Sequence, residues 1–363
     1  MNNSTKRIPS LDGLRAVSIF LVLFDHFSYY AGRPVNTFSF GNLGVRVFFI
    51  ISGFLITSIL ASEIEKNSVI NIKKFYFRRL LRIFPAYYFY ILFILVLTGL
   101  GFYDNSFSDF IIPLTFTSNY LSAVPIEFVH TWSLSVEEQF YIFLPGIIFI
   151  CGLEKTKKFL LFAFFVAPIL RVLNINALMT SGEFEIPTWF LFGFHTNIDV
   201  LVTGCLLALN REKLHLNRLY NYFLNSTKIF LTLPILIIFI TSYYKFTYAF
   251  LGVGMTIVNV SVALCVDWLI VNHQKILGRI LNSPPFKFIG VMSYSLYLWQ
   301  QPFINYSENV PLTYFPLNII LMILLSLLSY YIIERRFLRW RQVWEKNLES
   351  RNLGFEKPIE ISN

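Results

Sequence analysis

Long apolar runs follow one another along nearly the whole sequence and limit the chain to very few folds. Each run of about 18 to 25 residues is long enough to cross a bilayer as a helix. Inside hydrocarbon, only helices and closed barrels satisfy every backbone polar group. The composition agrees, since 55% of the 363 residues are hydrophobic and 14% are charged, an imbalance that a soluble protein of this size could not bury. The sequence therefore predicts an all-α integral membrane protein with about ten transmembrane helices. The spans are expected at residues 11–31, 41–62, 84–101, 132–152, 159–175, 189–209, 228–244, 247–271, 286–306 and 313–333.

The positive charges indicate how these spans are oriented. With both termini in the cytoplasm, 25 of the 30 Lys and Arg residues fall in cytoplasmic segments, as the positive-inside rule requires. An odd number of spans would break this alternation. The topology accounts for the net charge of +9, so the charge gives no reason to expect nucleic-acid binding. We expect a transmembrane domain at residues 1–334 and a basic cytoplasmic tail at residues 335–363.

The first predicted span contains ionisable residues that a bilayer helix ordinarily excludes. Arg15 and His26 are eleven residues apart, which places them on one face of a helix, about 16 Å apart along its axis. Polar groups inside a span cost several kcal/mol unless they face a polar interior, so they are candidates for function. His26 is our first catalytic candidate. The alternative is an interior histidine that only bonds a neighbouring helix.

A second group of charges precedes the third span. Arg79 and Arg82 are three residues apart and would project together from the cytoplasmic end of a helix. Positive-inside anchoring is one explanation. The other is a site for a multiply charged phosphate ligand, formed with Arg15, since guanidinium groups bind phosphate through paired donors. A coenzyme A thioester, with phosphates at one end and a reactive group one long arm away, would fit the separation of Arg15 from His26.

The stretch HTWSLSVEEQFYIFLP, residues 130–145, opens the fourth span. Ser135 and Glu138 have the spacing of a capping box, which predicts a local role for Glu138. Glu137 has no such partner, and we expect it at the outer lip, where a carboxylate could bond sugar hydroxyls or assist proton transfer. A solvated lip residue is the alternative. Trp132 and Glu138 are further candidates for contact with a sugar substrate.

Six motifs occur in order: DGLRA at 12–16 with His26 fourteen residues after its Asp, GVRVFFIISGFLI at 44–56, Arg79 with Arg82, TWSLSVEEQFY at 131–141, HTNIDVLVTGCLLA at 195–208 and SYSLYLW at 293–299. Each is weak alone, but six in sequence cover nearly the whole chain. On a plan of ten spans they resemble the acyltransferase-3 family of membrane O-acyltransferases. The resemblance is to stand-alone members, because only the basic tail is expected after the tenth span.

The resemblance implies transfer of an acyl group to a hydroxyl of a cell-surface glycan, such as lipopolysaccharide O-antigen, or of a lipid-linked sugar. The group is usually acetyl, and the donor is cytoplasmic acetyl-CoA. The resemblance makes His26 the catalytic residue and gives Arg79 and Arg82 the handling of the donor, a task that Arg15 fits by position. His26 could act as general base on the acceptor hydroxyl or carry the acyl group itself.

The resemblance also implies a location and partners. We expect a multi-pass protein of the cytoplasmic (inner) membrane. The expected partners are the acyl-CoA donor, the glycan or lipid-linked sugar acceptor and the lipid bilayer. A homo-oligomer is left open.

Three positions depart from the usual pattern of the family. Asn197 stands where Arg is common, which leaves Asp199 without its usual neighbour. Gln300 stands where many members have His, so no function is transferred to it. Arg46 occupies a position that is often acidic or amide, near the outer end of the second span, where it could meet an anionic acceptor or pair with Glu137. Arg46 and Asp199 are kept as substrate-binding candidates.

A transporter or flippase of a lipid-linked sugar or small solute is the alternative from another class. Such a protein would also show many spans with interior charges, but it should carry a pseudo-repeat with broken helices at matching positions, which the sequence lacks. No metal site is expected, because the histidines and acids do not cluster at ligand spacings. The sequence favours a membrane O-acyltransferase.

Overall fold

The computed structural model describes residues 8–30, 40–120, 124–181, 192–242, 250–304 and 314–354. These residues are mostly helical and contain no β-strand, which confirms the all-α prediction. Four helical stretches are long and apolar enough to cross a membrane: Phe40–Asn67, Ile72–Gly99, Gly252–Val271 and Leu317–Leu348. The number of ten spans stays a prediction. The side on which the termini lie also stays a prediction, since both termini are outside the described residues.

The helices are numbered in chain order. The first are α1 (Leu11–Tyr30), α2 (Phe40–Asn67), α3 (Ile72–Gly99), α4 (Phe107–Leu114), a 3-10 turn (Ile126–Phe128) and α5 (Thr131–Ser181). They are followed by α6 (Phe194–Leu216), α7 (Arg218–Asn225), α8 (Thr227–Ser242), α9 (Met255–Val271), α10 (Ile276–Leu281), α11 (Pro284–Trp299), α12 (Gln301–Ile304), α13 (Leu317–Leu328) and α14 (Arg335–Gly354), with π-helical turns at Phe250–Gly254 and Ser329–Glu334.

Helix α3 begins well before the predicted span at 84–101, at Ile72. The cap residue is Asn71, whose side-chain oxygen accepts a hydrogen bond from the backbone N–H of Lys74 at 2.9 Å, a favourable way to start a helix. Arg79 and Arg82 therefore lie within the helix, some two to three turns after its start.

Helix α5 joins the spans predicted at 132–152 and 159–175 into one run that is broken at Gly152. Gly152 has a φ of 76°, a left-handed conformation that glycine adopts without strain. Its carbonyl accepts a hydrogen bond from the Thr156 hydroxyl at 2.7 Å. The helix axis therefore changes direction at this residue.

Helices α2 and α6 approach each other closely at two glycines. A Cβ atom on Gly53 would lie 2.0 Å from the carbonyl oxygen of Leu201, and one on Gly204 would lie 2.2 Å from that of Ile50. Such contacts between small residues are typical of membrane helices. Helix α1 also packs against α2, and α5 packs against α6, so the α2–α6 contact lies at the centre of the bundle.

One face of the bundle gathers the basic residues of several helices. Arg78 on α3 donates to Glu345 on α14 at 2.7 Å, and Phe77 packs on Trp344 with ring centroids 4.3 Å apart. The predicted tail is thus helical from Arg335 to Gly354 and docked on α3. We call this side the basic face, defined by the first turns of α1, α3, α10 and α11 together with α14.

The segment after α3 folds back over the far end of that helix. The hydroxyl of Tyr87 donates to the carbonyl of Pro113 at 2.9 Å, and that of Tyr90 donates to the carbonyl of Glu127 at 2.6 Å. Both tyrosines are fully buried. Helix α4 and the 3-10 turn therefore cover the end of the bundle opposite the basic face, which we call the distal face.

Candidate active site

His26 lies on the inner side of α1 and bonds to Gln300 at the end of α11. Its Nδ1 is 3.1 Å from Oε1 of Gln300, while the amide nitrogen of Gln300 donates to the carbonyl of Tyr297 at 3.1 Å. The amide oxygen can only accept, so Nδ1 of His26 carries the proton. In this tautomer Nε2 keeps its lone pair, which a general base or a nucleophile requires.

Gln300 is a candidate site residue that the sequence did not reveal. Its side chain is fully buried, and it is separated from His26 by 274 positions. The only signal in the sequence was its departure from the family pattern. The structure makes it the residue that orients the imidazole of His26.

His130 lies beside this pair, immediately before α5. The residue is 2% exposed, and neither ring nitrogen makes a hydrogen bond of normal geometry with the described residues. The ring packs between Tyr90 and Tyr297, with centroid distances of 5.4 and 5.5 Å. It lies within electrostatic range of His26. Two imidazoles therefore share the interior of the bundle toward the distal face.

The three candidate arginines come together nearer the basic face. Arg15, Arg79 and Arg82 lie within electrostatic range of one another. The guanidinium of Arg79 stacks over the ring of Tyr141 at 4.8 Å, and Arg15 pairs with Asp12 at 3.3 Å. We call these three residues the arginine cluster. Its concentrated positive charge can bind an anion with several phosphate oxygens.

Glu137 does not lie at the outer lip, and this prediction was wrong. Its Oε1 accepts a hydrogen bond from the hydroxyl of Ser52 at 2.6 Å, and it lies within electrostatic range of all three members of the arginine cluster. The reason is the antiparallel packing of α5 on α3, seen in the bond from the Tyr76 hydroxyl to the carbonyl of Ile142 at 2.8 Å. Glu137, about two turns after the start of α5, therefore lies beside Arg79 and not at the end of the bundle.

Glu138 does not form the predicted capping box. Helix α5 begins at Thr131, so Ser135 is in its second turn and donates to the carbonyl of Thr131 at 3.0 Å. Glu138 is 8% exposed, and its Oε1 makes no hydrogen bond within the described part of the chain. It lies close to both Glu137 and Arg79. The structure thus adds a second carboxylate beside the arginine cluster.

Asp199 has an arginine partner, although not the one that the sequence pattern suggested. Arg171 on α5 forms two parallel bonds to its carboxylate, at 2.9 and 2.8 Å. Thr256 and Asn259 donate to the same carboxylate at 2.7 and 3.1 Å. The side chain is fully buried. The signal in the sequence was Arg171 itself, a charge inside a span, and the pair fixes α5, α6 and α9 to one another.

Arg46 extends this buried network and does not pair with Glu137, which corrects the second expectation for this residue. Its guanidinium donates to Asn42 at 2.6 Å, to Asn259 at 2.7 Å and to the sulfur of Met255 at 3.0 Å. It is 5% exposed. The substrate-binding roles of Arg46 and Asp199 stay predictions.

Trp132 lies in the first turn of α5, with Phe49 at 5.9 Å edge to face and Phe192 at 4.6 Å stacked between ring centroids. It is partly buried. The ring is thus part of an aromatic cluster of α2, α5 and the residues before α6. Its predicted contact with a sugar stays a prediction.

The fold and the candidate site together define a class of protein. It is a helical multi-pass membrane protein with a histidine and an arginine cluster at different depths of its interior. The chain belongs to the acyltransferase-3 family, whose model, described as an acyltransferase domain, matches residues 8–335. No solved structure matches the chain.

Several curated proteins are similar over most of this chain. Peptidoglycan O-acetyltransferase OatA of Listeria monocytogenes is 29% identical over 329 residues, which cover 85% of this chain and 51% of OatA. "Putative peptidoglycan O-acetyltransferase YrhL" of Bacillus subtilis is 29% identical over 360 residues, covering 90% and 54%. A "Putative O-acetyltransferase" of Staphylococcus aureus strain COL is 28% identical over 368 residues, covering 92% and 59%. The chain therefore spans between half and three fifths of the length of these relatives.

Proposed function

We propose that this protein transfers an acetyl group from acetyl-CoA at the basic face to a hydroxyl of a cell-surface glycan at the distal face. The observation that carries the proposal is the hydrogen bond between Nδ1 of His26 and Oε1 of Gln300, from which we infer that Nε2 is unprotonated. A neutral imidazole held in one orientation is the group that acyl transfer needs.

The arginine cluster supports acyl-CoA as the donor. The diphosphate of coenzyme A presents several anionic oxygens, and three guanidiniums in one place match that charge. Arg15 and His26 share a face of α1 at a separation of about 16 Å along the helix. A donor whose phosphates bind the cluster can therefore extend its pantetheine arm along α1 toward His26. Under this proposal the basic face is cytoplasmic and the protein lies in the cytoplasmic membrane.

The chemistry at His26 can follow two routes. In the first, Nε2 takes the proton of the acceptor hydroxyl while its oxygen attacks the thioester carbonyl. The C–S bond breaks, and the proton passes to the departing CoA thiolate. In the second, Nε2 itself forms the bond to the acetyl carbon, the C–S bond breaks, and CoA leaves as its thiolate. The acceptor hydroxyl then attacks the acetyl-imidazolium, the C–Nε2 bond breaks, and the hydroxyl proton is released to water, which protonates the thiolate. Both routes use the same nitrogen and the same bond to Gln300.

The acceptor is proposed to be a glycan because two of the relatives carry peptidoglycan O-acetyltransferase in their names. These names make peptidoglycan the first acceptor to test. Lipopolysaccharide O-antigen is the second, from the resemblance noted in the sequence. The distal face, where His26 and His130 lie, is the side from which such a polymer would enter.

The test is transfer of labelled acetyl from acetyl-CoA in membranes that express the wild type or His26→Ala. We expect label in the glycan fraction with the wild type and none with His26→Ala, at equal protein level. His195→Ala is the matched histidine control, since His195 stacks on Tyr120 apart from the bonds around His26, and it should retain transfer.

The proposal fails if the wild type neither binds acetyl-CoA nor labels either glycan. A transporter or flippase would then be the better explanation of the charged interior. It also fails if His26→Ala transfers acetyl as fast as the wild type.

A further inference from the structure

A cavity of about 550 Å³ opens on the basic face between the start of α1 and the segment that carries α10 and the first turn of α11. This size is ordinary for a small-molecule site. The side chains that give it chemical character are Ser10, Asp12, His273, Arg279, Asn282 and Lys287.

The cavity is positively charged. Arg279 and Lys287 are both exposed, and neither forms an ion pair with any described residue. The carboxylate of Asp12 is already paired with Arg15 at 3.3 Å. Within the described part of the chain, two cations without a carboxylate partner therefore face the same space, an arrangement that attracts an anion.

The wall between these two cations is held by hydrogen bonds across the chain. The side-chain oxygen of Asn282 accepts from the backbone N–H of Ser10 at 2.9 Å, and its amide nitrogen donates to the Ser10 hydroxyl at 3.0 Å. Asp12 is in close contact with α11, since a Cβ atom on Gly290 would lie 1.8 Å from its carbonyl oxygen. These contacts join the start of α1 to α11 and to the residues between α10 and α11, which together form the walls of the cavity.

His273 adds a polar group that can recognise a base or a hydroxyl. Its Nδ1 is 3.1 Å from the carbonyl of Ile270. A carbonyl only accepts, so Nδ1 is the donor, and Nε2 is left for a ligand. The cavity therefore offers two cations, amide and hydroxyl groups, and an imidazole.

Asp12 links the lining of the cavity to the arginine cluster. Asp12 lines the cavity, and its carboxylate accepts a bond from Arg15, which lies with Arg79 and Arg82. A ligand that binds both places needs one phosphate group in the cavity, a second at the arginine cluster, and an arm that continues along α1. Coenzyme A has this order of groups: a nucleoside with a 3′-phosphate, a diphosphate and the pantetheine arm.

We propose that this cavity holds the nucleoside end of the acyl-CoA donor, with Arg279 and Lys287 binding its ribose 3′-phosphate. The inference rests on the proposed function and names a part of its donor site. It separates two tasks: Arg279 and Lys287 select coenzyme A by its 3′-phosphate, while the arginine cluster binds the diphosphate.

The experiment compares acetyl-CoA with acetyl-3′-dephospho-CoA as donors for the reconstituted protein. We expect the wild type to show a KM about tenfold or more higher for the dephospho donor, because two charge-assisted contacts are lost, with little change in kcat. In Arg279→Gln/Lys287→Gln the KM for acetyl-CoA should rise to the value for the dephospho donor, so that the preference disappears. Lys275→Gln is the control, because this lysine is on the same segment but stacks on Trp268, and it should keep the preference.

The inference is overturned if the wild type uses both donors with equal KM, or if the double variant keeps the wild-type preference. Either result leaves the proposed function standing, since acetyl is still transferred. Absence of transfer from acetyl-CoA by the wild type would instead refute the proposed function and the inference with it. If the double variant does not accumulate, the single variants Arg279→Gln and Lys287→Gln give the same comparison, each with part of the preference lost.

Discussion

Gln300 at the end of α11 accepts a hydrogen bond from Nδ1 of His26 on α1, across 3.1 Å and 274 positions of sequence. The bond sets both the tautomer and the direction of the imidazole. Everything proposed for His26 depends on this orientation, because only Nε2 is left to meet a substrate.

Replacing Gln300 should slow the reaction without weakening donor binding. In Gln300→Leu the imidazole loses its acceptor, and we expect kcat to fall about 10- to 100-fold, part of the 10²- to 10⁴-fold that a positioned base supplies. The KM for acetyl-CoA should stay the same, because the arginine cluster is untouched. Gln300→His and Gln300→Glu keep an acceptor and should recover most of the rate. Equal losses in all three variants would reduce Gln300 to a packing residue.

Neutralising Glu137 should separate proton transfer from donor binding. Glu137 lies in the field of the arginine cluster, so Glu137→Gln removes a negative charge that repels the phosphates of the donor. We expect the donor Kd to stay the same or fall, while kcat drops about 100-fold, because the amide cannot accept a proton during transfer. Ser52→Ala, which removes only its hydrogen-bond donor, should have a smaller effect on kcat. An unchanged kcat in Glu137→Gln would remove this residue from the catalytic set.

Removing one partner of the Arg171–Asp199 pair should destabilise the fold. The pair is buried and bidentate, and breaking such a pair leaves an uncompensated charge at a cost of about 3–5 kcal/mol. Asp199→Leu and Arg171→Met should each lower the melting temperature in detergent. The double variant should be less destabilised than the sum of the two, because neither charge is left alone. Simple additivity would contradict the coupling of this pair.

Adding one methyl group at the contact between α2 and α6 should destabilise the protein. Gly204→Ala places a Cβ atom 2.2 Å from a backbone oxygen of α2, so the helices must move apart, at a cost of about 1–3 kcal/mol. Gly146→Ala is the matched control, because no described atom beyond its own stretch of helix lies within 4 Å of the position that its new methyl group would take. Thermal unfolding of the two variants in detergent should therefore differ. Equal melting temperatures would mean that the helices can separate freely at this point.

The apolar pattern predicts helices well and their ends poorly. The helical class and the position of α1 follow from hydrophobicity and length alone. The start of α3 does not, because residues such as Lys74 and Arg78 are good helix formers outside the apolar run. The apolar pattern therefore predicts the membrane-spanning part of a helix and misses the part that extends into polar surroundings.

Charged residues in apolar runs of the sequence indicated the candidate site, but the sequence did not identify the residues that they contact. His26 and Arg15 follow from the cost of a polar group in hydrocarbon, whereas the other two members of the arginine cluster follow from their spacing before the third span and from the chemistry of guanidinium groups. Gln300 is uncharged, and its pairing with His26 depends on the packing of α11 against α1, which a single sequence does not encode locally. The position of Glu137 across the membrane was also predicted wrongly. Whether Glu137 lies beside Arg79 depends on where the antiparallel helices α3 and α5 begin, which the apolar pattern does not show.

The most direct test of the account is equilibrium binding of labelled coenzyme A to three forms of the protein in the same reconstituted membranes: wild type, His26→Ala and Arg79→Gln/Arg82→Gln. Lys73→Gln/Lys346→Gln serves as a control for loss of basic-face charge outside the cluster, since both lysines are exposed on that face. The account predicts wild-type affinity for His26→Ala and for the lysine control, and affinity at least about tenfold weaker for the arginine variant. Loss of binding in His26→Ala, or full binding in the arginine variant, would contradict the division of the interior into a donor site and a site of chemistry.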